Sequence, residues 1–283
     1  MICLFILLPL KTIFNRNSDL TMNTLLRCHN LDIAVAKTAT LLVQQLHWVI
    51  QPGQCWVVLG PNGAGKSSLL RVLSGLQPSD FNTLYWRAQP LQTYTIRQRA
   101  QHIGLLVQQG NTGLQNTALE LVLSGLYPHH ASRYWENTAD QQTAQQALAD
   151  VGLANKAHTP LSALSGGELR RAEIARLLVH NPCLALLDEP LNHLDIGQQL
   201  SMLHLLQQRF QNTAQALVLV LHDLNLARQV ATHGLLLFGD GRWQAGPIES
   251  IAQVSHLSAL MRHPLTEFDT PYGKQLGVEY TTR

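Results

Sequence analysis

The chain has 283 residues, enough for one large domain or two small ones. Hydrophobic residues make up 46% and permit a real core, whereas charged residues make up only 13%, about half the usual share of ~25%. A formal net charge of +2 removes any broad electrostatic case for binding nucleic acid or an anionic membrane, and the 4 cysteines form no C-x-x-C pair, which argues against a zinc site or a disulfide framework.

In chain order, the first feature is an apolar stretch from Ile2 to Leu10. It falls far short of the ~20 residues a membrane-spanning helix needs. Its basic residues, Lys11 and Arg16, come after it, opposite to the order of a secretory signal. Residues 1–21 are expected to be a leader, either disordered or upstream of a true start at Met22. No later stretch approaches a membrane span, so any meeting with a membrane is expected to run through a partner.

From Leu25 to Ile50 apolar residues alternate as in short strands with one buried face, and Gln51-Pro52-Gly53-Gln54 is a turn. Cys55–Leu59 is a short apolar run bounded by glycines and reads as a buried parallel strand. Ser67 to Leu76 reads as a helix closed by Gly75 and Pro78. Strand, glycine loop and helix together open a nucleotide-binding α/β unit. The stretch from Gln109 to Ala163 is rich in Ala, Gln and Leu, and its spacing predicts helices at Ala118 to Leu126 and Thr138 to Val151. Leu184 to Leu187 and Leu217 to Leu221 fit two further core strands, and the tail after Gly246 reads as a helix with a less regular end.

Gly60-Pro61-Asn62-Gly63-Ala64-Gly65-Lys66-Ser67 matches the G-x-x-x-x-G-K-[ST] pattern, and Ser68 continues it. Glycines there let backbone N–H groups turn inward to cradle a phosphate, and the following helix N-terminus adds partial positive charge. Lys66 can then reach the β- and γ-oxygens, and Ser67 can offer its hydroxyl to Mg²⁺. Chance alone would produce this pattern in about 1% of chains of this length. Leu184–Leu187 ends in Asp188-Glu189-Pro190, and a strand end is where an α/β sheet places its ligands. Asp188 suits steadying Mg²⁺ through water, and Glu189 suits polarising an attacking water.

Leu164-Ser165-Gly166-Gly167-Glu168 narrows the class. Locally it is a turn and a helix start, with Ser165 and Glu168 spaced as a capping box. The full string is also the signature of ATP-binding-cassette (ABC) ATPases, and the chain resembles that family from about Leu25 to Gly246. Gln108 matches the family's Q-loop, Asp195 in Leu194-Asp195 its D-loop, and His222 in Val220-Leu221-His222-Asp223 its switch histidine. Any one of these alone is weak; all 6 elements in family order are specific.

The resemblance implies an α/β fold: a P-loop NTPase of the ABC nucleotide-binding type, with a RecA-like core, an N-terminal antiparallel β subdomain and a helical signature subdomain. It implies a cassette over 22–246, a helical insert at about 109–163, and a tail at 247–283 packed on the cassette. ATP and Mg²⁺ follow as cofactors, with Ser67, Gln108 and Asp188 toward the metal and Glu189, His222 and Gln108 in hydrolysis. Two copies would pair head to tail around two ATP molecules. The P-loop, Gln108, Asp188, Glu189 and His222 of one copy would then face Ser165 and Gly167 of the other, so that Gly60 to Ser68, Ser165, Gly166, Gly167 and Asp195 are the expected nucleotide-binding residues.

Two departures stand out. Family members stack adenine on an aromatic some distance before the P-loop, and Leu31 to Gln45 contains none. Leu191 also follows Asp188-Glu189-Pro190 where the family often has Thr or Ser; that hydroxyl is not a phosphate ligand, so little effect is expected. The strings Leu191–Ile196, His222–Ala227 and Val122–His129, with Trp135-Glu136 beyond, resemble the branch that serves cobalamin, iron-siderophore and haem importers. That branch implies integral-membrane permease subunits as partners, a substrate-binding protein indirectly, no nucleic acid, and a peripheral place on the cytoplasmic face of the inner membrane. The rival readings are a soluble cassette of DNA repair or translation, and an exporter subunit. Soluble cassettes of that kind usually carry a second cassette, a long coiled-coil insert or a basic arm. Only 98 residues separate Lys66 from Ser165, and they hold no heptad run.

Overall fold

The computed structural model describes residues 24–34, 40–80, 83–108, 117–130, 138–210, 214–271 and 273–278. The expected leader at 1–21 lies outside these residues, as do 109–116 and 131–137 of the expected insert. Among the described residues no helix is long and apolar enough to cross a membrane.

Two sheets organise the chain. Strands β1 (Leu26–Ala34), β2 (Leu41–Ile50), β4 (Leu84–Trp86) and β5 (Gln89–Pro90) make an antiparallel sheet in the order β2-β1-β4-β5. The larger sheet runs in the order β10 (Trp243–Pro247), β9 (His233–Leu237), β3 (Cys55–Leu59), β8 (Ala216–Val220), β7 (Leu184–Asp188), β6 (Ile103–Leu106). Strands β9, β3, β8, β7 and β6 are parallel, and β10 closes one edge antiparallel.

Every residue of β3, β7 and β8 is buried, as their unbroken apolar runs predict for strands covered on both faces. Alternate side chains enter two separate cores. Trp56, Val58, Leu184, Leu186, Val218 and Val220 join the antiparallel sheet and helix α1 (Lys66–Leu73). Val57, Leu59, Ala185, Leu187, Leu217 and Leu219 join a helical layer on the other side. That layer holds α3 (Ala118–Leu123), α4 (Thr138–Asp150), α5 (Gly166–His180) and α6 (Ile196–Phe210). Each fully buried aliphatic here stabilises the fold by about 1.5–3 kcal/mol relative to exposure. Helix α2 (Ile96–His102) leads directly into β6, and α7 (Leu224–Val230) follows β8.

The tail differs from expectation. After the short helices α8 (Ile248–Ile251) and α9 (Val254–Met261), the chain forms an antiparallel hairpin, β11 (Leu265–Thr270) and β12 (Gly273–Val278). Its own pattern is poor, since Leu276 is its one buried hydrophobic residue. Docking on α7 holds it instead. The Asn225 amide donates to Leu276 O at 3.1 Å and accepts from Leu276 N at 2.8 Å, and Arg228 meets Glu267 at 2.7 Å. The first helix also ends earlier than its apolar pattern suggests, because Gly75 at φ +73° closes it in a left-handed cap.

Candidate nucleotide site

Parallel register brings the candidate residues together. Val58 lies beside Val220, Leu187 beside Leu219, and Leu106 beside Leu187, so the loops after β3, β6, β7 and β8 leave the same edge of the sheet. Those loops carry the glycine loop, Gln108, Glu189 and His222 in turn. The carboxyl edge of a parallel sheet is the usual ligand site of such folds.

The glycine loop wraps the start of α1. Gly65 sits at φ +94°, which a side chain rarely tolerates, and turns the chain into the helix. A Cβ at Gly60 would lie 2.4 Å from Leu237 O, so the loop can pass β9 only without a side chain. Lys66 is 6% exposed; its ammonium donates to Gly60 O at 2.8 Å and Pro61 O at 3.0 Å. Burial pulls its pKa below the ordinary lysine value, against the opposing charges of Glu189 and Asp188. Leu42, Asn62, Gly63, Gly65, Lys66, Ser67 and Ser68 line one end of a cleft of about 600 Å³. Gln108, Glu189, Asn192 and His222 line the other end.

Glu189 is the hub of that second end. Its Oε2 accepts from Gln108 Nε2 at 2.7 Å and from Asn192 Nδ2 at 2.5 Å, and its Oε1 lies 2.7 Å from His222 Nε2. Its backbone sits at φ +49°, a left-handed conformation uncommon outside glycine and often found at functional sites. Burial pushes its carboxyl upward, but the hydrogen bonds from His222 and Asn192 and the nearby positive charges outweigh it, so the pKa falls below the usual carboxylate value. Asp188 behind it is 4% exposed. Burial raises its pKa, while a hydrogen bond from the Ser67 hydroxyl acts the other way. Its Oδ1 is buried without a partner, an arrangement that suits a polar occupant of the cleft.

Some expected residues lie elsewhere. Ser165 caps α5, with Glu168 N donating to Ser165 Oγ at 3.2 Å and Ser165 N to Glu168 Oε2 at 2.9 Å. Ser165 and Gly166 face outward, and none of Ser165, Gly166, Gly167 or Asp195 lines the cleft. Gly167 packs against the turn before α6, with His193 O 2.8 Å from where a Cβ would be. Asp195 is exposed and accepts from Gln198 N at 2.8 Å at the start of α6. Leu191 is buried in the helical-side core, consistent with a packing role. Motif reading missed Asn192 and Arg170. Asn192 stands three residues past Glu189 in one turn, a spacing that could have flagged it. Nothing local marks Arg170, which is buried in the signature helix against Glu173 at 2.9 Å.

A buried parallel sheet whose carboxyl edge holds a glycine-loop lysine and a polarised carboxylate defines a P-loop nucleoside triphosphatase. Within that class, the chain belongs to the ABC transporter family, whose model matches residues 43–192, and is an ATP-hydrolysing subunit of it. It is 37% identical over 240 residues to the hemin import ATP-binding protein HmuV of Methylobacillus flagellatus, covering 82% of this chain and 88% of that one. It is 36% identical over 188 residues to the ferric enterobactin transport ATP-binding protein FepC of Escherichia coli, covering 66% and 69%. Among solved structures, an inward-facing ABC transporter of metal-chelate type superposes with a TM-score of 0.78 at 27% identity, covering 92% of this chain and 99% of that one.

Proposed function

We propose that this chain energises an importer of an iron-siderophore or haem type substrate, with cobalamin as the third substrate class of the same branch. The observation that carries the hydrolytic half is the Glu189 carboxylate, held by Gln108, Asn192 and His222 at the mouth of the P-loop cleft. Hemin import and ferric enterobactin transport by the relatives support the direction and the substrate class.

In this reading the residues from Gly60 to Ser68 hold the phosphates of ATP, with Lys66 moving from two backbone carbonyls to the β- and γ-oxygens. Ser67, Gln108 and Asp188 would hold Mg²⁺, and the unpartnered buried Oδ1 of Asp188 fits that use. When bound there, the metal would supply positive charge against the phosphates. Glu189 takes a proton from the attacking water, and His222 keeps it in register with the γ-phosphate.

Ser165 and Gly166 are exposed, and none of Ser165, Gly166, Gly167 or Asp195 lines its own cleft, which suits their binding nucleotide in a second copy paired head to tail. The cassette spans 22–246, with 247–283 as its tail. The permease partner docks between α2 and the helical insert. Arg97 and Gln101 of α2 both donate to Pro128 O, and Ile96 and Tyr127 beside them are exposed. Trp135, part of the string that resembles the importer branch, lies outside the described residues. A peripheral place on the cytoplasmic face of the inner membrane follows from such a partner, and a substrate-binding protein acts indirectly through it. The test is co-purification of the chain with its membrane subunits from detergent, alongside the ATPase rate. Tyr127→Ala is expected to bind ATP normally, associate more weakly and hydrolyse ATP without transport. Failure to recover any membrane protein, with ATPase stimulated by DNA or ribosomes instead, overturns the importer reading.

A further inference from the structure

We infer that Arg170 is a positioning residue for hydrolysis, fixing the backbone under Gln108 and Glu189 from the signature helix. The inference rests on the reading of Glu189 as the general base.

All five N–H groups of the Arg170 guanidinium find acceptors. Nε donates to Pro190 O at 3.3 Å; Nη1 donates to Val107 O at 2.8 Å and Glu173 Oε2 at 2.9 Å; Nη2 donates to Asp188 O at 2.6 Å and Glu189 O at 2.9 Å. Four of these acceptors are backbone carbonyls, and they come from the two loops that supply the hydrolytic side chains. Val107 immediately precedes Gln108, and Asp188, Glu189 and Pro190 surround the candidate base. The carbonyls stand where β6 and β7 end and ladder partners stop, and a planar fork of fixed geometry can serve several at once.

The consequence is geometric. Gln108 Nε2 and Glu189 Oε2 meet at 2.7 Å, although 81 residues separate them, and one buried cation sets the backbone beneath both. The left-handed backbone of Glu189 persists only where its surroundings hold it, and the bond to its own carbonyl is part of that hold. Arg170 lies one turn into α5, whose N-cap is Ser165 and whose first residue is Gly166. Movement of the signature helix is therefore passed to the base and to Gln108 through a single side chain. Glu173 anchors the guanidinium from the same helix, and its contribution is separable from that of the carbonyls.

The experiment uses the purified full chain and measures kcat, KM for ATP and melting temperature. Removing the buried ion pair as a unit, R170M together with E173L, takes away both charges, so neither is left buried and unpaired. The expected result is a chain that still folds, with a melting temperature lowered because four carbonyls lose their donor, an unchanged KM, and kcat lower by about 10- to 100-fold, the scale of a small misplacement at a reacting centre. Arg170→Lys serves if the double variant fails to fold. It keeps the charge beside Glu173 but concentrates its donors at one point, so kcat is expected to stay low by about the same factor. Wild-type kcat in a folded double variant, or recovery of kcat by lysine, overturns the inference. Glu189→Gln is assayed in parallel. If it abolishes turnover while the Arg170 variants keep theirs, the positioning role alone is wrong; if it leaves turnover intact, the base assignment fails first.

Discussion

The phosphate end of the cleft is built by consecutive residues from Gly60 to Ser68, largely from backbone, whereas the opposite end is built by the side chains of Gln108, Glu189, Asn192 and His222, drawn from three loops. At the first end one strand-loop-helix unit holds everything, and Lys66 satisfies itself on carbonyls five and six residues away in the same loop region. At the second end Gln108 and His222 lie 81 and 33 residues from Glu189, and only the sheet brings those two into range. A backbone-built site should tolerate side-chain changes but not added bulk where chain meets chain. A side-chain-built site should change its activity or its pH dependence with each single substitution while its fold persists.

Glu189→Gln is expected to have the largest effect. It keeps the shape of the hub and removes its basicity, so turnover should fall by about 10²–10⁴-fold. ATP binding should remain, and an ATP-bound dimer should accumulate on a sizing column. Near-normal turnover would mean that the side-chain end is not the hydrolytic end.

Lys66→Ala comes next. It removes a charge-assisted contact to phosphate, worth about 1.5–3 kcal/mol, or ~10- to 150-fold in ATP affinity by calorimetry. Wild-type affinity would refute the assignment of the glycine loop to phosphate binding.

Gly60→Ala probes the backbone itself. The new Cβ would meet Leu237 O at 2.4 Å, so loop or strand must shift, and thermal denaturation should report a loss of about 1–3 kcal/mol. Asn62→Ala, at an exposed position of the same loop, should stay within about 0.5 kcal/mol of wild type. Equal effects at the two positions would mean that close backbone approach does not govern this end of the cleft.

Asn192→Ala should be the mildest. It removes one of the donors that hold the Glu189 carboxyl below its ordinary pKa. The base works ionised, so raising its pKa costs activity on the acid side only. The acid limb of the pH–rate profile should move to higher pH, with turnover at neutral pH little changed. An unmoved acid limb would remove Asn192 from the hub.

The glycine loop, the acidic strand end and the capping box at Ser165 were legible in the amino-acid sequence because each is local. Their chemistry depends on residues within a few positions of one another, and strand-loop-helix spacing announces the geometry. The buried strands were legible for the same reason, as unbroken apolar runs between turn residues. Gln108 and His222 were reached only by resemblance, since a glutamine or a histidine at a strand end carries no local mark. The parallel register of β6, β7, β3 and β8 is what delivers them to one cleft. Arg170 and the tail hairpin had neither kind of signal. The arginine's acceptors are main-chain carbonyls 18 to 63 residues away, invisible to any pattern of side chains. The hairpin forms because α7 offers it Asn225 and Arg228. Local chemistry is written in neighbouring letters; the direction of a buried carbonyl is settled only when the chain has packed.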